Sequence, residues 1–497
     1  MIKVAISTLG CKVNQYESAG ILEKLDKDVF LQVPFNTKAD CYIINTCTVT
    51  GRTDYQSRQL IRRAIRKNPN ASVIVTGCYA QVAPHDIARI PGVTLVVGNA
   101  EKELIPEIIQ HIVRGNPQVL VSDICQAGEL YGSSGIVEKP FFLGAVQKHL
   151  DARRSKTEAR GVYGNTLSGS VCRATQQTPS PQRRGSGVFQ QALSPLRFPG
   201  HTRAFLKIQD GCNNFCSYCI VPYARGPSRS LPEMEVFSKI EELALSGYRE
   251  IVLTGIHLGA YGRDLIPPSD LFNILEYVEK NKNIERLRLS SIEIGEITDD
   301  LIGLMSKGAI ICRHLHIPLQ SGDDNILSAM NRNYESAFFK NRLEEICRAI
   351  PDIAFGIDVM VGFPGEREEE FNNTLRLIEE LPVAYLHVFT YSERPGTHAV
   401  KLSGKVNEAV KKMRSEILRE IGRKKRESFS KRFIGQKLTV LVEDKKDKDT
   451  GCMKGFSGNY IPVLIRNGNS SLANRIVNVI PDDSKDGKLY ARIVSNV

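Results

Sequence analysis

Residues 209–226, QDGCNNFCSYCIVPYARG, decide the fold, because they place three cysteines within eight residues directly after a strand-like run. That run, residues 204–208, opens a series in which β-branched runs alternate with amphipathic helical patterns. Alternation of this kind predicts parallel strands joined by helical crossovers. The cysteines then lie at the carboxyl end of the first strand, which is where (β/α) barrels place their chemistry.

Six strands are predicted in this part of the chain. Their candidate positions are residues 204–208, 249–253, 286–289, 314–317, 355–361 and 384–389. Helical patterns fall between them, for example at residues 233–246, 270–280 and 366–380. Because eight units would close a full barrel, six units predict a partial (β/α)6 barrel.

The cysteine spacing indicates a metal cluster. A tetrahedral zinc site needs a fourth ligand nearby, and the following residues, IVPYARG, contain neither Cys nor His. A 4Fe-4S cluster held by Cys212, Cys216 and Cys219 keeps one iron open for a small molecule. Six further cysteines lack a partner at ligand spacing and are predicted to be structural: Cys41, Cys125, Cys172, Cys312, Cys347 and Cys452.

The first 115 residues form a second α/β unit. Strands are predicted at residues 3–7, 41–45, 72–76 and 94–97, and helices near 17–27, 54–68 and 101–114. Cys11, Cys47 and Cys78 each lie just beyond a strand, at the edge where open parallel sheets place their ligands. These three thiols either converge on one point or are separate buried cysteines, since free Cys is commonly interior.

The length of 497 residues predicts about three folding units. Residues 126–200 are rich in Gly, Ser, Gln, Pro and Arg, which predicts a linker with a disordered insertion. Residues 405–432 form a long basic helical pattern, which suits either a solvated surface or a polyanion. Short alternating runs from residue 437 onward predict a small β-barrel.

Charge and hydropathy narrow the class of protein. The formal net charge is +11, but residues 139–200 alone hold ten Lys or Arg against two Asp or Glu. The net charge of the whole chain is therefore only weak evidence that the protein binds nucleic acid. No apolar run reaches the roughly 20 residues of a spanning helix, and the start lacks a signal peptide's apolar core. We expect a cytoplasmic protein with reduced cysteines and no membrane partner.

Taken together, these motifs resemble the radical S-adenosylmethionine methylthiotransferases. The QDGCNNFCSYCIVPYARG run and the three outlying cysteines carry the superfamily resemblance. Five further segments are similar to the branch that acts on threonylcarbamoyladenosine beside the tRNA anticodon: LGCKVNQYES, LTGIHLGAYG, LHIPLQSGDDNILSAMNRNY, DVMVGFPGE and HVFTYSERPGT. The resemblance covers nearly all of residues 1–115 and 201–497.

The resemblance implies two 4Fe-4S clusters. Cys212, Cys216 and Cys219 would hold the cluster that binds S-adenosylmethionine and splits it to a deoxyadenosyl radical. Cys11, Cys47 and Cys78 would hold an auxiliary cluster carrying the sulfur for adenine C2. Further cofactor- or substrate-binding candidates lie at strand ends: Thr254, Gly255, Gly259, Gln320, Ser321, Gly322, Arg332, Val361, Gly362, Phe363, Pro364 and Gly365. For the candidates from Gln320 onward, turn chemistry alone is the alternative.

The resemblance also implies domains and partners. Residues 1–122 would form the methylthiotransferase N-terminal domain, 123–200 a linker, 201–434 the radical barrel and 435–497 a TRAM-like RNA-binding domain. Asp210 and Glu293 are polar candidates for orienting substrate or cofactor. Lys424, Lys425 and Arg426 are RNA candidates, and Tyr460 would either stack on a base or belong to the barrel core.

We further expect tRNA as the substrate, a flavodoxin- or ferredoxin-like electron donor, and a monomer. Two alternatives remain open. One is the same chemistry on isopentenyladenosine or a ribosomal-protein aspartate. The other is a metal-stabilised RNA-binding protein without catalysis.

Overall fold

The computed structural model describes residues 1–111, 118–124 and 193–494. Most of the predicted disordered insertion, together with Cys125 and Cys172, lies outside these residues. The described chain forms three packed units: a parallel sheet with helices, a partial (β/α) barrel and a closed β-barrel. None of its helices is both long and apolar enough to cross a membrane.

The N-terminal unit is a six-stranded parallel sheet in the order β2-β1-β3-β4-β5-β6. The predicted strands are confirmed, whereas β2 and β6, three residues each, were not predicted because such short runs show no periodicity. Its elements are β1 (Ile2–Thr8), α1 (Lys12–Glu23), β2 (Phe30–Gln32), β3 (Cys41–Thr46), α2 (Gly51–Lys67), β4 (Ser72–Gly77), α3 (Cys78–Val82), α4 (Pro84–Ala88), β5 (Leu95–Val97), α5 (Ile105–Ile108) and β6 (Gln118–Leu120).

The central unit contains the six predicted parallel strands. Strands β7, β10 and β11 form one sheet and β12, β13 and β14 another, and isolated bridges join Leu287 to Ile311 and Ser291 to His316. The strands are β7 (Ala204–Lys207), β8 (Gln209–Asp210), β9 (Arg229–Ser230), β10 (Glu250–Thr254), β11 (Arg286–Leu289), β12 (His314–Gln320), β13 (Ala354–Val361) and β14 (Tyr385–Thr390). The helices are α6 (Val221–Arg225), α7 (Glu233–Leu245), α8 (Leu271–Asn281), α9 (Asp299–Lys307), α10 (Asp324–Ala329), α11 (Ser336–Ala349) and α12 (Glu368–Glu380).

The core of this unit lies between the strands and their outer helices. Ile251 and Leu253 of β10 are fully buried and belong to the same apolar cluster as Ile274 of α8. The opposite strand face carries charged residues such as Arg288 and Asp358 at alternate positions, beside apolar ones such as Val252.

The C-terminal unit is a closed barrel in the order β15-β16-β17-β19-β18, which confirms the predicted small β-barrel. Helix α13 (Glu408–Lys431) leads into it and packs along β14. Arg286 and Arg288 of β11 donate hydrogen bonds to barrel carbonyls, including Thr439 O at 2.7 Å and Gly458 O at 3.0 Å. Its strands are β15 (Leu438–Lys446), β16 (Met453–Ser457), β17 (Pro462–Ile465), β18 (Ile476–Lys485) and β19 (Lys488–Ile493).

Residues 193–200 are packed, although they were predicted as the end of the linker. Leu193 is buried in the N-terminal core and Phe198 in the barrel core, where its ring lies 6.2 Å from that of Tyr16. The backbone N–H groups of Leu196 and Arg197 donate to Glu23 Oε2 at 2.8 and 3.1 Å. The apolar side chains of this short segment thus join the first two units.

Candidate functional site

The three outlying cysteines converge at one edge of the N-terminal sheet. Strands β1, β3 and β4 are parallel neighbours, so their carboxyl ends meet at that edge. Cys11 precedes α1, Cys47 follows β3 and Cys78 opens α3. Burial raises the pKa of the Cys47 thiol to about 12, and the neighbouring Cys78 and Cys11 contribute to the increase. Of the two readings left open by the sequence, the structure favours convergence.

Gly10 allows this close approach. Its φ is +96°, a conformation that favours glycine. A Cβ atom built at Gly10 would lie 2.9 Å from the Cys47 Sγ atom. A larger residue would therefore push the Cys11 loop away from Cys47.

Cys212, Cys216 and Cys219 lie on the loop after β7 and β8. The Cys219 N–H donates to the Cys216 carbonyl at 2.9 Å, which folds the loop back on itself. The short antiparallel pair β8–β9 fixes the base of the loop. Burial raises the pKa of the Cys219 thiol to about 12, and the neighbouring Cys216 and Cys212 contribute to the increase.

Neither thiol group is arranged for a single metal ion. Among the described residues, one set of three ligand atoms lies mutually within 4.8 Å, and it consists of His316, Asp358 and His387 instead of cysteines. Three neighbouring thiolates can each bind a different iron of one cubane, so they need not all lie within reach of a single metal ion. The donor chemistry and spacing of both groups therefore fit 4Fe-4S clusters better than zinc.

Five buried charges join the two cysteine groups. Glu17 of α1 and Asp210 accept hydrogen bonds from Arg225 Nη1 at 2.9 and 3.0 Å. Lys207 Nζ lies 3.2 Å from Glu17 Oε1 and 3.0 Å from Asp210 Oδ2, and Lys102 Nζ lies 2.5 Å from Glu17 Oε2. With three cations and two carboxylates, this network carries a net charge of +1 (3 − 2).

Helix α6 runs from one cysteine group to the other. It begins two residues after Cys219 and ends at Arg225. Burial raises the pKa of the Cys11 thiol, and the positive charge of Arg225 opposes that increase. Asn99 Nδ2 lies 3.9 Å from Cys78 Sγ and donates to the Ala224 carbonyl at 2.7 Å. Each end of this short helix thus contacts a different cysteine environment.

Comparison with known proteins identifies the family. Residues 3–98 match the family described as "Uncharacterized protein family UPF0004", and residues 206–378 match the Radical SAM superfamily. A threonylcarbamoyladenosine tRNA methylthiotransferase MtaB of Bacillus subtilis is 36% identical over 481 residues, covering 96% of this chain and 93% of the relative. The chain belongs to the threonylcarbamoyladenosine tRNA methylthiotransferase family. The predicted resemblance is confirmed, and with it an enzyme class that uses 4Fe-4S clusters and S-adenosylmethionine.

Other relatives of this methylthiotransferase are similar over nearly the whole chain. The Aquifex aeolicus threonylcarbamoyladenosine tRNA methylthiotransferase MtaB is 35% identical, covering 89% of this chain and 93% of the relative. A tRNA-2-methylthio-N(6)-dimethylallyladenosine synthase of Carboxydothermus hydrogenoformans is 31% identical, covering 98% and 97%. The solved radical S-adenosylmethionine methyltransferase TsrM of Kitasatospora setae is 14% identical with a TM-score of 0.50, covering 78% of this chain and 73% of that one. That similarity concerns the fold alone.

In the methylthiotransferase, the loop after β10 lies beside Cys212. Gln209 Oε1 accepts hydrogen bonds from the backbone of Ile256 and His257 at 2.9 and 2.8 Å, which orders the loop between the candidates Thr254, Gly255 and Gly259. His257 Nδ1 lies 3.8 Å from Cys212 Sγ. Neither Gln209 nor His257 was singled out from the sequence, although His257 stands inside the quoted segment LTGIHLGAYG.

Arg332 and Glu293 lie beside Cys216. Arg332 Nη1 is 3.4 Å from Cys216 Sγ, and Arg332 Nη2 forms an ion pair with Glu293. Burial raises the pKa of Cys216, and the Arg332 guanidinium opposes that increase. Both residues were candidates from sequence, and the structure brings them to the same thiol.

Ser321 and Gly322 face the outer helices. Ser321 Oγ lies 3.2 Å from Thr374 Oγ1, and the Gly322 N–H donates to the same oxygen at 2.9 Å. A Cβ atom at Gly322 would lie 2.7 Å from the Thr374 Cα atom. Gln320, with φ of +67°, ends β12 at a bulge. These contacts hold a turn together, as expected if Gln320, Ser321 and Gly322 form a turn and do not bind a ligand.

The VGFPG segment supports the cysteine loop. Phe363 is fully buried in an apolar cluster with Met330 and Tyr391, and Tyr218 of the cysteine loop packs against this cluster. The Gly362 N–H donates to Glu366 Oε2 at 3.0 Å, and the Gly365 N–H donates to the Gly404 carbonyl at 2.9 Å. Val361 and Pro364 are buried as well.

The inner barrel face carries a His-Asp-His group that was not predicted. Asp358 Oδ1 lies 2.8 Å from His316 Nε2 and 3.3 Å from His387 Nδ1. Burial would raise the pKa of Asp358, but the hydrogen bonds from both histidines lower it to about 2. All three residues stand in quoted segments, yet only the parallel register of β12, β13 and β14 brings them together.

The predicted RNA-contacting residues differ in their surroundings. Lys424 is exposed on α13, whereas Lys425 Nζ donates to the carbonyls of Glu379 and Leu381 at 2.9 and 2.7 Å. The Arg426 guanidinium lies 5.3 Å from the centre of the Tyr385 ring. Tyr460 stacks on Phe456 with ring centres 4.9 Å apart. It therefore lies within the packed interface between the C-terminal barrel and the partial (β/α) barrel.

Proposed function

We propose that this methylthiotransferase adds a methylthio group to adenine C2 of threonylcarbamoyladenosine in tRNA. The proposal rests above all on two separate groups of three thiols, one in each of two units locked together by buried charges. The names of relatives 36% and 35% identical over most of their length support the substrate. A non-catalytic RNA-binding protein would have no need for a second thiol group.

Within this proposal, Cys212, Cys216 and Cys219 hold one 4Fe-4S cluster, and Cys11, Cys47 and Cys78 hold the other. When bound, such clusters supply an open iron for S-adenosylmethionine, an electron for its cleavage and a carrier for the transferred sulfur. Gln209 holds the loop with Thr254, Gly255 and Gly259 against the first group. Arg332, paired with Glu293, places a positive charge beside Cys216.

The buried charge network has a positioning role in the proposal. Glu17 and Lys102 belong to the N-terminal unit, whereas Lys207, Asp210 and Arg225 belong to the barrel. Hydrogen bonds between buried charged groups restrict the relative movement of the units that carry them. We infer that the network fixes the distance between the two thiol groups. This distance matters because the radical formed at one cluster and the sulfur carried by the other must both reach the same adenine.

The remaining assignments extend the same proposal. Residues 1–122 form the auxiliary-cluster domain, 201–434 the radical barrel and 435–497 the RNA-binding barrel, with Lys424 as a phosphate contact. The enzyme works as a monomer with a flavodoxin- or ferredoxin-like electron donor. A cytoplasmic location is supported by the ten free cysteines of the described chain, since thiols stay reduced in that compartment.

One experiment tests this function directly. Anaerobically purified protein with both clusters is incubated with a reductant, S-adenosylmethionine and tRNA carrying either threonylcarbamoyladenosine or dimethylallyladenosine. Mass spectrometry of the digested nucleosides should find the methylthio product from the first tRNA. Product from the dimethylallyl substrate alone would assign the chain to the same chemistry on that other nucleoside. No product from either tRNA would favour a non-catalytic RNA-binding protein.

A further inference from the structure

A cavity of about 320 Å³ lies where α1, the partial (β/α) barrel and the C-terminal barrel meet. Part of its wall is one row across three neighbouring strands, because Val252 of β10 is paired with Phe205 of β7 and with Arg288 of β11. Lys12 of α1 and Tyr460 of the C-terminal barrel complete the wall. The cavity is thus built from all three units of the chain.

The wall of this cavity is cationic. Its charged residues comprise five cations and two carboxylates, a net charge of +3 (5 − 2): Lys12, Arg203, Arg288, Lys445 and Lys454 against Glu443 and Asp444. Glu443 is shared, at 2.7 Å from Arg203 and 3.2 Å from Lys454. A surplus of cations around a partly open cavity favours an anionic ligand with oxygen acceptors.

Lys12 is the cation with most capacity for a ligand. Within the described residues its ammonium group makes no hydrogen bond or ion pair, whereas Arg288 is paired with Glu250 at 2.7 Å. An ammonium group offers three donors, so a carboxylate or phosphate entering the cavity would meet unused ones. Lys12 also follows Cys11 directly in the chain, so one wall of the cavity adjoins the segment that carries Cys11.

We propose that this cavity binds the carboxylate of the threonylcarbamoyl substituent while the adenine faces the Cys11 group. The inference rests on the proposed function and deepens it, because it names the part of the substrate that is recognised. A dimethylallyl substituent carries no charge and would leave the half-buried Lys12 ammonium group without an anionic partner, which disfavours that substrate. A backbone phosphate has the same anionic chemistry, and the experiment separates the two sources.

Binding of two anticodon stem-loop RNAs tests the proposal. One RNA carries threonylcarbamoyladenosine and the other carries unmodified adenosine at the same position, and fluorescence anisotropy measures their affinities for the anaerobic enzyme with both clusters. Wild-type protein should prefer the modified RNA. Lys12→Met should reduce affinity for the modified RNA by about tenfold and leave affinity for the unmodified RNA unchanged, since one charge-assisted hydrogen bond is lost.

Three variants act as controls. Lys12→Arg should keep the preference because it retains the charge, and Lys24→Met, exposed at the end of the same helix, should behave as wild type. Lys454→Met lies far along the chain from any cysteine of the two groups and should also weaken the preference. Iron content, measured for each variant, shows whether the Cys11 group has been disturbed.

Two results would overturn the proposal. An equal loss of affinity for both RNAs in Lys12→Met and Lys454→Met would assign the cavity to a backbone phosphate. An unchanged preference in both variants, with iron content retained, would mean that the cavity does not recognise the substituent. The proposed function fails separately, if wild-type enzyme forms no methylthio product from the modified tRNA.

Discussion

Replacing Arg225 by Met tests the buried charge network. Arg225 is 1% exposed and donates five hydrogen bonds: Nη1 to Glu17 at 2.9 Å and to the two carboxylate oxygens of Asp210 at 3.0 and 3.2 Å, and Nη2 to Asn14 and Glu17 at 2.6 and 3.2 Å. Breaking a buried ion pair costs about 3–5 kcal/mol when it leaves an uncompensated charge. Here the two carboxylates keep Lys102 and Lys207, so we expect a loss of roughly 3 kcal/mol.

Such a loss is measurable by thermal unfolding. For a folding unit of roughly 150–250 residues, a loss of 1 kcal/mol in the free energy of unfolding lowers the unfolding temperature by about 2–4 °C. Arg225→Met should therefore lower the unfolding temperature by roughly 6–12 °C. The unfolding temperature of Arg225→Lys should lie between those of wild type and Arg225→Met, since lysine keeps the charge and loses the paired guanidinium donors. Scanning calorimetry or fluorescence under nitrogen gives the temperatures, and iron analysis confirms equal cluster content.

A surface arginine gives the matched control. Arg249 pairs with Glu285 at 2.6 Å, and the two side chains are 53% and 46% exposed. An exposed pair contributes about 0–1 kcal/mol, so Arg249→Met should shift the unfolding temperature little. If Arg225→Met and Arg249→Met melted at the same temperature, the network would not hold the units together.

Three further predictions concern the cysteines and a second ion pair. Cys216→Ala should abolish formation of deoxyadenosine from S-adenosylmethionine, measured by chromatography, and cleavage at the normal rate would disprove that cluster assignment. Cys47→Ala should retain this cleavage but lose methylthiolation, so normal methylthio-nucleoside levels would remove the auxiliary cluster from the account. Burial would raise the pKa of Glu250, but Arg288 lowers it below its usual 4.5. The pair therefore stabilises the fold above about pH 4.5 and loses this contribution as the pH falls further, so the unfolding-temperature difference between wild type and Glu250→Gln should be large at pH 7 and shrink in acid.

The parallel arrangement of the strands and the sheet edge at which the three outlying cysteines lie were accessible from sequence for a simple geometric reason. Parallel strands end at one edge of a sheet, so cysteines that follow β1, β3 and β4 are brought close without any knowledge of side-chain contacts. The same reasoning located Cys212 at the barrel mouth. Both inferences need only local patterns and the register of parallel neighbours.

The first helix shows where pattern reasoning is insufficient. It was predicted from Glu17, but it begins at Lys12. Its first turns bury Asn14 and Glu17 as well as Val13 and Tyr16, so the buried face does not look apolar in the sequence. These polar residues are buried because Arg225, more than 200 positions later, satisfies them. Contacts at that separation leave no periodic signal.

The strand-end motifs illustrate a second limit. Ser321 and Gly322 stand in a segment typical of ligand loops, yet their hydrogen bonds go to Thr374 on an outer helix. The His316, Asp358 and His387 group gave no signal of its own, because the three residues come from three strands. Sequence motifs thus marked the correct loops but did not separate side chains that face the cavity from those that face the core.

Iron stoichiometry combined with Mössbauer spectroscopy of the anaerobically isolated enzyme tests the central claim most directly. The account predicts about eight irons per chain in two 4Fe-4S clusters. Replacing Cys11, Cys47 and Cys78 together by Ala should halve the iron and leave a single cluster. A wild-type protein with one cluster or with zinc would contradict the account.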